Sequence, residues 1–478
     1  MKKIFDYYKN LDIKIKASFW FIVCSCFQKM IAFVTTPIYT RIMTEAQYGE
    51  YNLFLSWIEF FSILCTLNIF YSAYTVGLNK FESDKDRYTG NVHLLCFILT
   101  TIISIILLLW IDFFSKILKM SRGYIISLVL YMYIMPTFQI WSSQQRYYFK
   151  YRMLVIVTML LGICTICVGT LFTYYFENKG QAASIAKVIV EAIISAPLFI
   201  LNIRRLSNFF DIKYFKYSFK YSIALLPHYL STMILNHSDR IMISSICGDD
   251  KTAIYSVAYS IGMVVSVFIT ALLNSFIPWL YRKLSAKSYD GITRASIPLT
   301  IISSLLTIIV LIIAPEILLI IAPKTYIEAK WVLIPVALGT LITIVYGFFV
   351  NIEFFFNFNK MIIIASSVTA GLNIVLNYVF IHKFGYIAAG YTTFFCYSLL
   401  LIFHYINYRI MLKVKKIDSK IISIIPHLFI ILITIALACV IMFLYKIKIY
   451  YRYFFLVIII AFLLISWKKI IASIKKKV

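Results

Sequence analysis

The run ASFWFIVCSCFQKMIAFVTTPIY, residues 17–39, decides the class of fold because it is an apolar segment long enough to cross a membrane. A helix of roughly 20 predominantly apolar residues spans the hydrocarbon core of a bilayer, which is about 30 Å thick. The run is longer than the apolar region of a cleavable signal peptide, and no cleavage pattern accompanies it. We therefore interpret residues 17–39 as the first of many membrane helices.

Similar runs recur along the whole chain. Of the 478 residues, 62% are hydrophobic and only 14% are charged, so no stretch is suited to coating a soluble domain. Continuous apolar runs favour helices over a membrane β-barrel, whose strands alternate in polarity. The sequence predicts an all-α polytopic protein with about fourteen spans, at 17–39, 51–73, 91–111, 123–141, 153–176, 182–202, 217–241, 254–279, 297–321, 331–350, 361–381, 386–407, 420–444 and 450–467.

Basic residues are concentrated in alternate loops between these spans. With both termini in the cytosol, about two thirds of the 46 Lys and Arg residues fall on cytosolic segments, which is the usual bias of membrane proteins. The net charge of +26 is then explained by topology and by attraction to lipid head groups. We predict that the chain lies in the lipid bilayer with cytosolic termini and does not bind nucleic acid.

The two halves of the chain resemble each other at an offset of about 204 residues. TEAQYGEY, residues 44–51, precedes the second span, and GDDKTAIY, residues 248–255, precedes the eighth. Six spans per repeat keep both repeats in the same orientation, with a substrate cavity between them. This pattern predicts a transporter with six-helix lobes at 1–210 and 211–410, followed by two extra helices at 411–478.

Several charged residues are predicted to lie within spans, where charge is costly and usually faces a cavity or a partner. Lys29 lies about 12 residues, or roughly 18 Å, into the first span. It either receives a phosphate in the cavity or pairs with a carboxylate for structural reasons. Glu59 is an acid without an evident partner and is a candidate for coupling to H+ or Na+. Lys187 and Glu191 are four residues apart and are expected to neutralise each other.

The seventh span carries a polar stripe. His228, Thr232 and Asn236 recur every four residues, and Asp239 follows on roughly the same helix face. The stripe predicts a cavity wall with a possible proton site at Asp239. Alternatively, Asp239 and Arg240 form an interfacial ion pair.

The eleventh span carries a weaker polar stripe that includes Asn373 and Asn377. These residues are candidates for the cavity, although close helix packing through Asn hydrogen bonds is the favoured alternative. No phosphate-binding GxxxxGK[ST] loop is present, so the chain is not expected to hydrolyse ATP. No HExxH motif occurs either, and no resident cofactor is expected.

Three stretches resemble bacterial polysaccharide flippases of the Wzx type: TPIYTRIMTEAQYGEY (36–51), NHSDRIMI (236–243) and AGLNIVLNY (370–378). The resemblance implies a member of the multidrug/oligosaccharidyl-lipid/polysaccharide exporter superfamily, with a MATE-like fold in the bacterial cytoplasmic membrane. It implies a polyprenyl-diphosphate-linked oligosaccharide as substrate, moved to the outer leaflet for O-antigen, capsule or related polymers. A polymerase and glycosyltransferases of the same pathway would be its partners.

The resemblance also suggests positions for the substrate. It implies that Lys29 and Arg41 contact the diphosphate, and it places the family's Asp-Arg pair on Asp239 and Arg240. Two rivals remain. A drug or metabolite exporter of the same fold would not need Lys29, and a membrane enzyme of polysaccharide assembly, such as an acyltransferase, would use His228. The short loops weaken the enzyme alternative.

Overall fold

The computed structural model describes residues 12–71, 73–203, 210–418, 420–447, 449–454 and 457. Within these ranges all regular secondary structure is helical. The α-helices are α1 (Ile13–Ile42), α2 (Glu45–Thr66), α3 (Ala73–Lys80), α4 (Lys85–Leu109), α5 (Ile111–Leu118), α6 (Arg122–Tyr147), α7 (Tyr151–Tyr175), α8 (Lys179–Ile203), α9 (Ile212–Cys247), α10 (Asp249–Ser285), α11 (Ile292–Ile312), α12 (Ala314–Ile321), α13 (Ala329–Phe355), α14 (Asn359–Phe384), α15 (Ile387–Val414) and α16 (Ile425–Leu444).

Eleven of the described helices are long and apolar enough to cross a membrane. This confirms the all-helical, multi-pass class predicted from the sequence. The predicted second and seventh spans correspond to helices α2 and α9, which are too polar to be among these eleven helices. Helix α2, for example, carries Glu45, Glu50 and Glu59. Most of the predicted last span, 450–467, lies outside the described residues. The count of fourteen is therefore not confirmed.

The chain divides into two compact units, Met1–Ala253 and Ile254–Val478. In the first unit α1 packs on α7, α6 and α7 pack on α8, and α2 packs on α4 and α9. In the second unit α13 and α14 pack on α15, and α11 packs on α16. Helix α9, which the sequence analysis assigned to the second lobe, thus lies in the first unit. The predicted lobe boundaries at 210 and 410 stay predictions.

Each of the two repeated motifs begins a helix. Thr44 caps α2: its hydroxyl accepts from the Gln47 backbone N–H at 3.3 Å, and the Gln47 side chain accepts from the Thr44 N–H at 3.2 Å. This reciprocal pair satisfies two of the free N–H groups at the helix start. Gly49 lies against the second motif, where an added Cβ would be 1.9 Å from the carbonyl oxygen of Asp249. Only a residue without a side chain fits this contact.

Candidate functional site

The second predicted span is interrupted. Helix α2 ends at Thr66, and Leu67 and Asn68 take left-handed φ values of +50° and +48° before a short 3-10 turn, Ile69–Tyr71. A non-glycine residue in this conformation costs of order 1–3 kcal/mol, and here it ends the helix. The prediction of one continuous helix over 51–73 is therefore wrong. Irregular backbone at membrane depth is tolerated where it is buried in protein or lines a cavity.

Side chains from neighbouring helices hold the interruption in place. The Ser143 hydroxyl on α6 donates to the carbonyl of Phe70 at 2.9 Å. The Tyr88 hydroxyl on α4 donates to the carbonyl of Ala73 at 3.0 Å. The bond from Ser143 gives a carbonyl of the 3-10 turn a side-chain partner, and the bond from Tyr88 ties the first turn of α3 to α4.

A cavity of about 370 Å³ lies at the interruption, entirely within the first unit. Its wall combines aromatic rings, neutral amides and hydroxyls with one carboxylate, a composition suited to a polar organic ligand. Helices α2, α6 and α9 supply the wall together with the 3-10 turn: Ile58, Glu59, Ser62, Ile63, Asn68, Phe70, Tyr71, Tyr131, Met135, Gln139, Tyr229, Thr232, Met233, Asn236 and His237.

Three residues singled out from the sequence meet at this wall. Glu59 comes from α2, whereas Thr232 and Asn236 are one turn apart on α9. Glu59 is exposed to the cavity rather than packed into the protein. The polar stripe of the predicted seventh span thus faces the cavity along part of its length, and it shares the space with an acid from a second helix.

The carboxylate of Glu59 has a charged neighbour that the sequence analysis missed. Lys187 on α8 interacts electrostatically with both Glu59 and Glu191. Its Nζ atom also lies 5.1 Å from the ring centroid of Tyr131, which lines the cavity. Lys187 is therefore a charged neighbour of both carboxylates, and Glu59 is not remote from every cation. The predicted Lys187–Glu191 neutralisation is only part of this cluster.

Asp239 and Arg240 follow the cavity-lining residues Asn236 and His237 along α9. Arg240 donates from Nη1 to the carbonyl of Asn236 at 3.3 Å, and the same atom is 3.4 Å from Nδ1 of His237. Asp239 is buried, with 1% of its surface exposed. His237 lines the cavity although the sequence analysis did not select it. The guanidinium of Arg240 is thus fixed along its own helix, next to the wall.

Three other candidates of the first unit do not belong to the described cavity wall. Lys29 is partly buried in α1. Arg41 is exposed and donates from Nη1 to the carbonyl of Pro37 on its own helix at 2.8 Å. His228 accepts through its backbone carbonyl from the Thr232 hydroxyl at 2.9 Å. The two diphosphate contacts that the resemblance implies, Lys29 and Arg41, are thus not among the residues that line this cavity.

Asn373 and Asn377 are buried in the second unit, between α14 and α15. Asn373 donates to the Thr393 hydroxyl at 3.2 Å, and Asn377 donates to the side-chain oxygen of Asn373 at 3.2 Å. The Thr392 hydroxyl donates to the side-chain oxygen of Asn377. This chain of hydrogen bonds joins the two helices and supports the alternative of helix packing.

The second unit also holds an ionisable pair that the sequence analysis missed. Nδ1 of His404 on α15 lies 3.2 and 3.1 Å from the two carboxylate oxygens of Glu353 on α13. Both side chains are buried, and the Tyr346 ring stacks on the imidazole at 5.7 Å. The rarity of ionisable residues in spans was the available signal for His404. Glu353 lies just beyond the predicted tenth span and gave no such signal.

Comparison with known proteins identifies the family. The model described as "Polysaccharide biosynthesis protein" matches residues 15–284. An "Uncharacterized membrane protein" of Haemophilus influenzae is 24% identical over 196 residues, which cover 40% of this chain and 48% of that relative. The match thus spans about half of the relative's length. The "Lsg locus putative protein 1" of the same organism is 22% identical over 358 residues, 73% of this chain and 86% of that protein.

Solved structures with the same fold are membrane transporters. The lipid II flippase MurJ, in an inward closed conformation, has a TM-score of 0.69 at 14% identity and covers 94% of this chain and 99% of its own. An inward-facing multidrug resistance MATE transporter of the MOP superfamily has a TM-score of 0.66 at 12% identity, covering 82% and 96%. These matches confirm the predicted exporter fold. The chain, a multi-pass membrane protein, belongs to the polysaccharide biosynthesis protein family.

Proposed function

We propose that this protein is a flippase that moves a polyprenyl-diphosphate-linked oligosaccharide from the cytosolic to the outer leaflet of the bacterial cytoplasmic membrane. The supporting observation is the polar and aromatic cavity at the interrupted helix, in a family member whose other helices are largely apolar. An unpaired polar group in hydrocarbon costs several kcal/mol, so a sugar head group needs polar partners along its path. Alternating access would move the head group while the polyprenyl tail stays in lipid.

In this proposal the diphosphate is held by basic side chains of the first unit. Lys29, Arg41 and Arg240 are the candidates, because cationic donors form the stronger, charge-assisted hydrogen bonds to phosphate oxygens. Asn373 and Asn377 of the second unit were also candidates for the substrate path. Their hydrogen bonds to α15 favour a packing role instead.

Energy for transport would come from an H+ or Na+ gradient acting through Glu59 or Asp239, or from consumption of the product. Glu59 is the better candidate because it is exposed to the cavity and belongs to a cluster of two carboxylates and one ammonium group. An ion that binds there would alter the charge of the cavity wall directly.

The product would be polymerised after it reaches the outer leaflet. We propose a polymerase and glycosyltransferases of O-antigen, capsule or related polymer synthesis as partners. The proposed topology has both termini in the cytosol, with six-helix lobes at 1–210 and 211–410 and two further helices at 411–478.

The proposal is tested in proteoliposomes that contain a labelled polyprenyl-diphosphate oligosaccharide. A membrane-impermeant glycosidase added outside measures how much substrate has changed leaflet. In vesicles with wild-type protein, the glycosidase is expected to reach the inner-leaflet substrate that stays protected in protein-free vesicles. The Lys29→Ala variant should lower the initial rate about tenfold, which corresponds to one charge-assisted contact of about 1.4 kcal/mol. Lys116→Ala, a change at an exposed lysine on α5, is the matched control.

Unchanged rates for Lys29→Ala would remove that residue from the diphosphate site. A wild-type protein that moves none of the lipid-linked sugars but accumulates lipophilic organic cations would favour the exporter alternative. That alternative draws on the acidic side chain of Glu59 at the cavity wall.

A further inference from the structure

We propose that the cavity of the first unit is the glycan subsite of the transporter, that it takes uncharged sugar rings, and that the diphosphate lies outside it. This inference rests on the proposed function and assigns a part of the substrate to a defined group of residues. It makes the first unit of the protein the part that recognises the oligosaccharide.

The aromatic residues of the wall supply stacking surfaces for sugar rings. Tyr71 is the last residue of the 3-10 turn, and 68% of its surface is exposed. Its ring centroid lies 4.8 Å from that of Phe70. Tyr229 and Tyr131 line the same cavity from α9 and α6. A tyrosine offers a rigid apolar face with a polar hydroxyl at its edge, which matches a sugar ring that is apolar on its faces and hydroxylated at its rim.

The polar residues of the wall match hydroxyl groups in hydrogen-bonding capacity. Asn68 and Gln139 carry amides that both donate and accept. Ser62, Thr232 and Asn236 each donate to a backbone carbonyl of their own helix, and their side-chain oxygens can accept from a ligand. A sugar hydroxyl also donates and accepts, so each can find a partner in either role. These residues come from α2, the 3-10 turn region, α6 and α9, and they surround the space from several sides.

The charges of the wall argue against the diphosphate as the occupant. Among the described residues that line the cavity, Glu59 carries the only formal charge if His237 is neutral, and no Lys or Arg belongs to the wall. A diphosphate needs cationic donors, whereas a carboxylate a few ångströms away would repel it. For the same reason a uronic acid or another acidic sugar is disfavoured. Lys187 interacts with Glu59 but is not a lining residue.

The size of the cavity sets the scale of the glycan. A volume of about 370 Å³ lies at the lower end of the range of small-molecule pockets, about 300–1,000 Å³. It accommodates one or two sugar rings at a time rather than a long polymer. The site therefore fits one end of the oligosaccharide, with the lipid anchor and the diphosphate outside the cavity.

Tyr71→Ala tests the stacking surface. In the proteoliposome assay with a neutral oligosaccharide on polyprenyl diphosphate, this change should lower the initial rate about tenfold, as truncation of a central aromatic contact does. Tyr71→Phe keeps the ring and should stay within about twofold of wild type. Tyr174→Ala is the matched control, since Tyr174 is 74% exposed in the same unit and lies away from the cavity wall. Size-exclusion profiles and thermal midpoints verify that all variants fold.

Glu59→Gln tests the charge selectivity. Wild-type protein should move the neutral substrate at least about fivefold faster than the same lipid with one sugar replaced by a uronic acid, and Glu59→Gln should bring this ratio towards one. A coupling defect would lower both rates together and leave the ratio unchanged, so the ratio reports the subsite specifically.

The outcomes separate the two proposals. A wild-type protein that moves no lipid-linked sugar overturns the proposed function and the subsite with it. Transport by wild type, with Tyr71→Ala indistinguishable from Tyr174→Ala and an unchanged neutral-to-acidic ratio in Glu59→Gln, overturns the subsite alone. Loss of rate only in Tyr71→Ala, together with the altered ratio, supports both.

Discussion

Replacing Gly49 by alanine gives a sharp test of the contact between the two repeated motifs. Gly49 lies in the first turns of α2, and its Cα faces the backbone of Asp249 at the start of α10. A methyl group placed there would lie 1.9 Å from the Asp249 carbonyl oxygen and 2.6 Å from its carbonyl carbon. Because both atoms belong to the backbone, neither can rotate away as the end of a flexible side chain could.

The magnitude follows from these distances. An ordinary Cβ contact begins near 3.4 Å, so the two segments must separate by about 1.5 Å to admit the methyl group. Overpacking of a well-packed contact costs about 1–3 kcal/mol. For a unit of about 250 residues, 1 kcal/mol lowers the midpoint of thermal unfolding by roughly 2–4 °C. We therefore expect Gly49→Ala to unfold at a midpoint several degrees below that of wild type.

Thermal unfolding in lipid nanodiscs, followed by tryptophan fluorescence, measures the shift. The control is Gly371→Ala on α14, where an added Cβ meets nothing within 4 Å. That change removes a helical glycine and should be neutral or stabilising by up to about 1 kcal/mol. Hydrogen exchange should also become faster over 44–51 and 248–253 in Gly49→Ala. Equal midpoints and unchanged exchange in the two variants would show that the motifs are not in the described contact.

Three further changes test the buried polar groups. His404→Leu leaves the Glu353 carboxylate buried without its imidazole partner and should lower the free energy of unfolding by about 3–5 kcal/mol. Adding Glu353→Gln removes the buried charge and should recover most of this loss. A double variant as unstable as His404→Leu alone contradicts this pairing. Ser143→Ala removes the hydroxyl that donates to the Phe70 carbonyl and should lower the free energy of unfolding by about 1–3 kcal/mol. Hydrogen exchange should become faster only in the interrupted segment. Faster exchange throughout the protein would argue against a local role. Lys187→Met should lower the unfolding midpoint and slow transport at neutral pH, because Glu59 and Glu191 lose a neighbouring positive charge. Transport rates like those of wild type would exclude this charge from function.

The sequence predicts the helical class well because its signal is collective. Each span draws on some twenty apolar residues, so individual exceptions such as Pro136 inside α6 do not hide it. The interruption after Thr66 is different. Leu67 and Asn68 are neither glycine nor proline, and the bonds that fix them, from the Leu67 N–H to the Ile63 carbonyl and from the Asn68 N–H to the Thr66 hydroxyl, leave no mark on the apolar pattern.

Side-chain partners were predictable only along one helix. The stripe through Thr232 and Asn236 follows from helical spacing, and the structure places both residues at one cavity wall. The neighbour of Glu59 is Lys187, more than a hundred residues later on α8, and no spacing rule connects them. The same holds for Glu353 and His404, which belong to different helices.

The interruption at 67–71 also separates α2 from the short helix α3. In an unbroken helix such as α13, inserting one residue rotates everything beyond it by about 100° and would turn the buried face of that helix away from its neighbours. At the interruption no such register is transmitted, because α2 has its own N-terminal cap and α3 is anchored by the Tyr88 hydroxyl. The segment itself lines the cavity through Asn68, Phe70 and Tyr71, so a change in its length should reshape the cavity wall while α2 and α3 each keep their own packing.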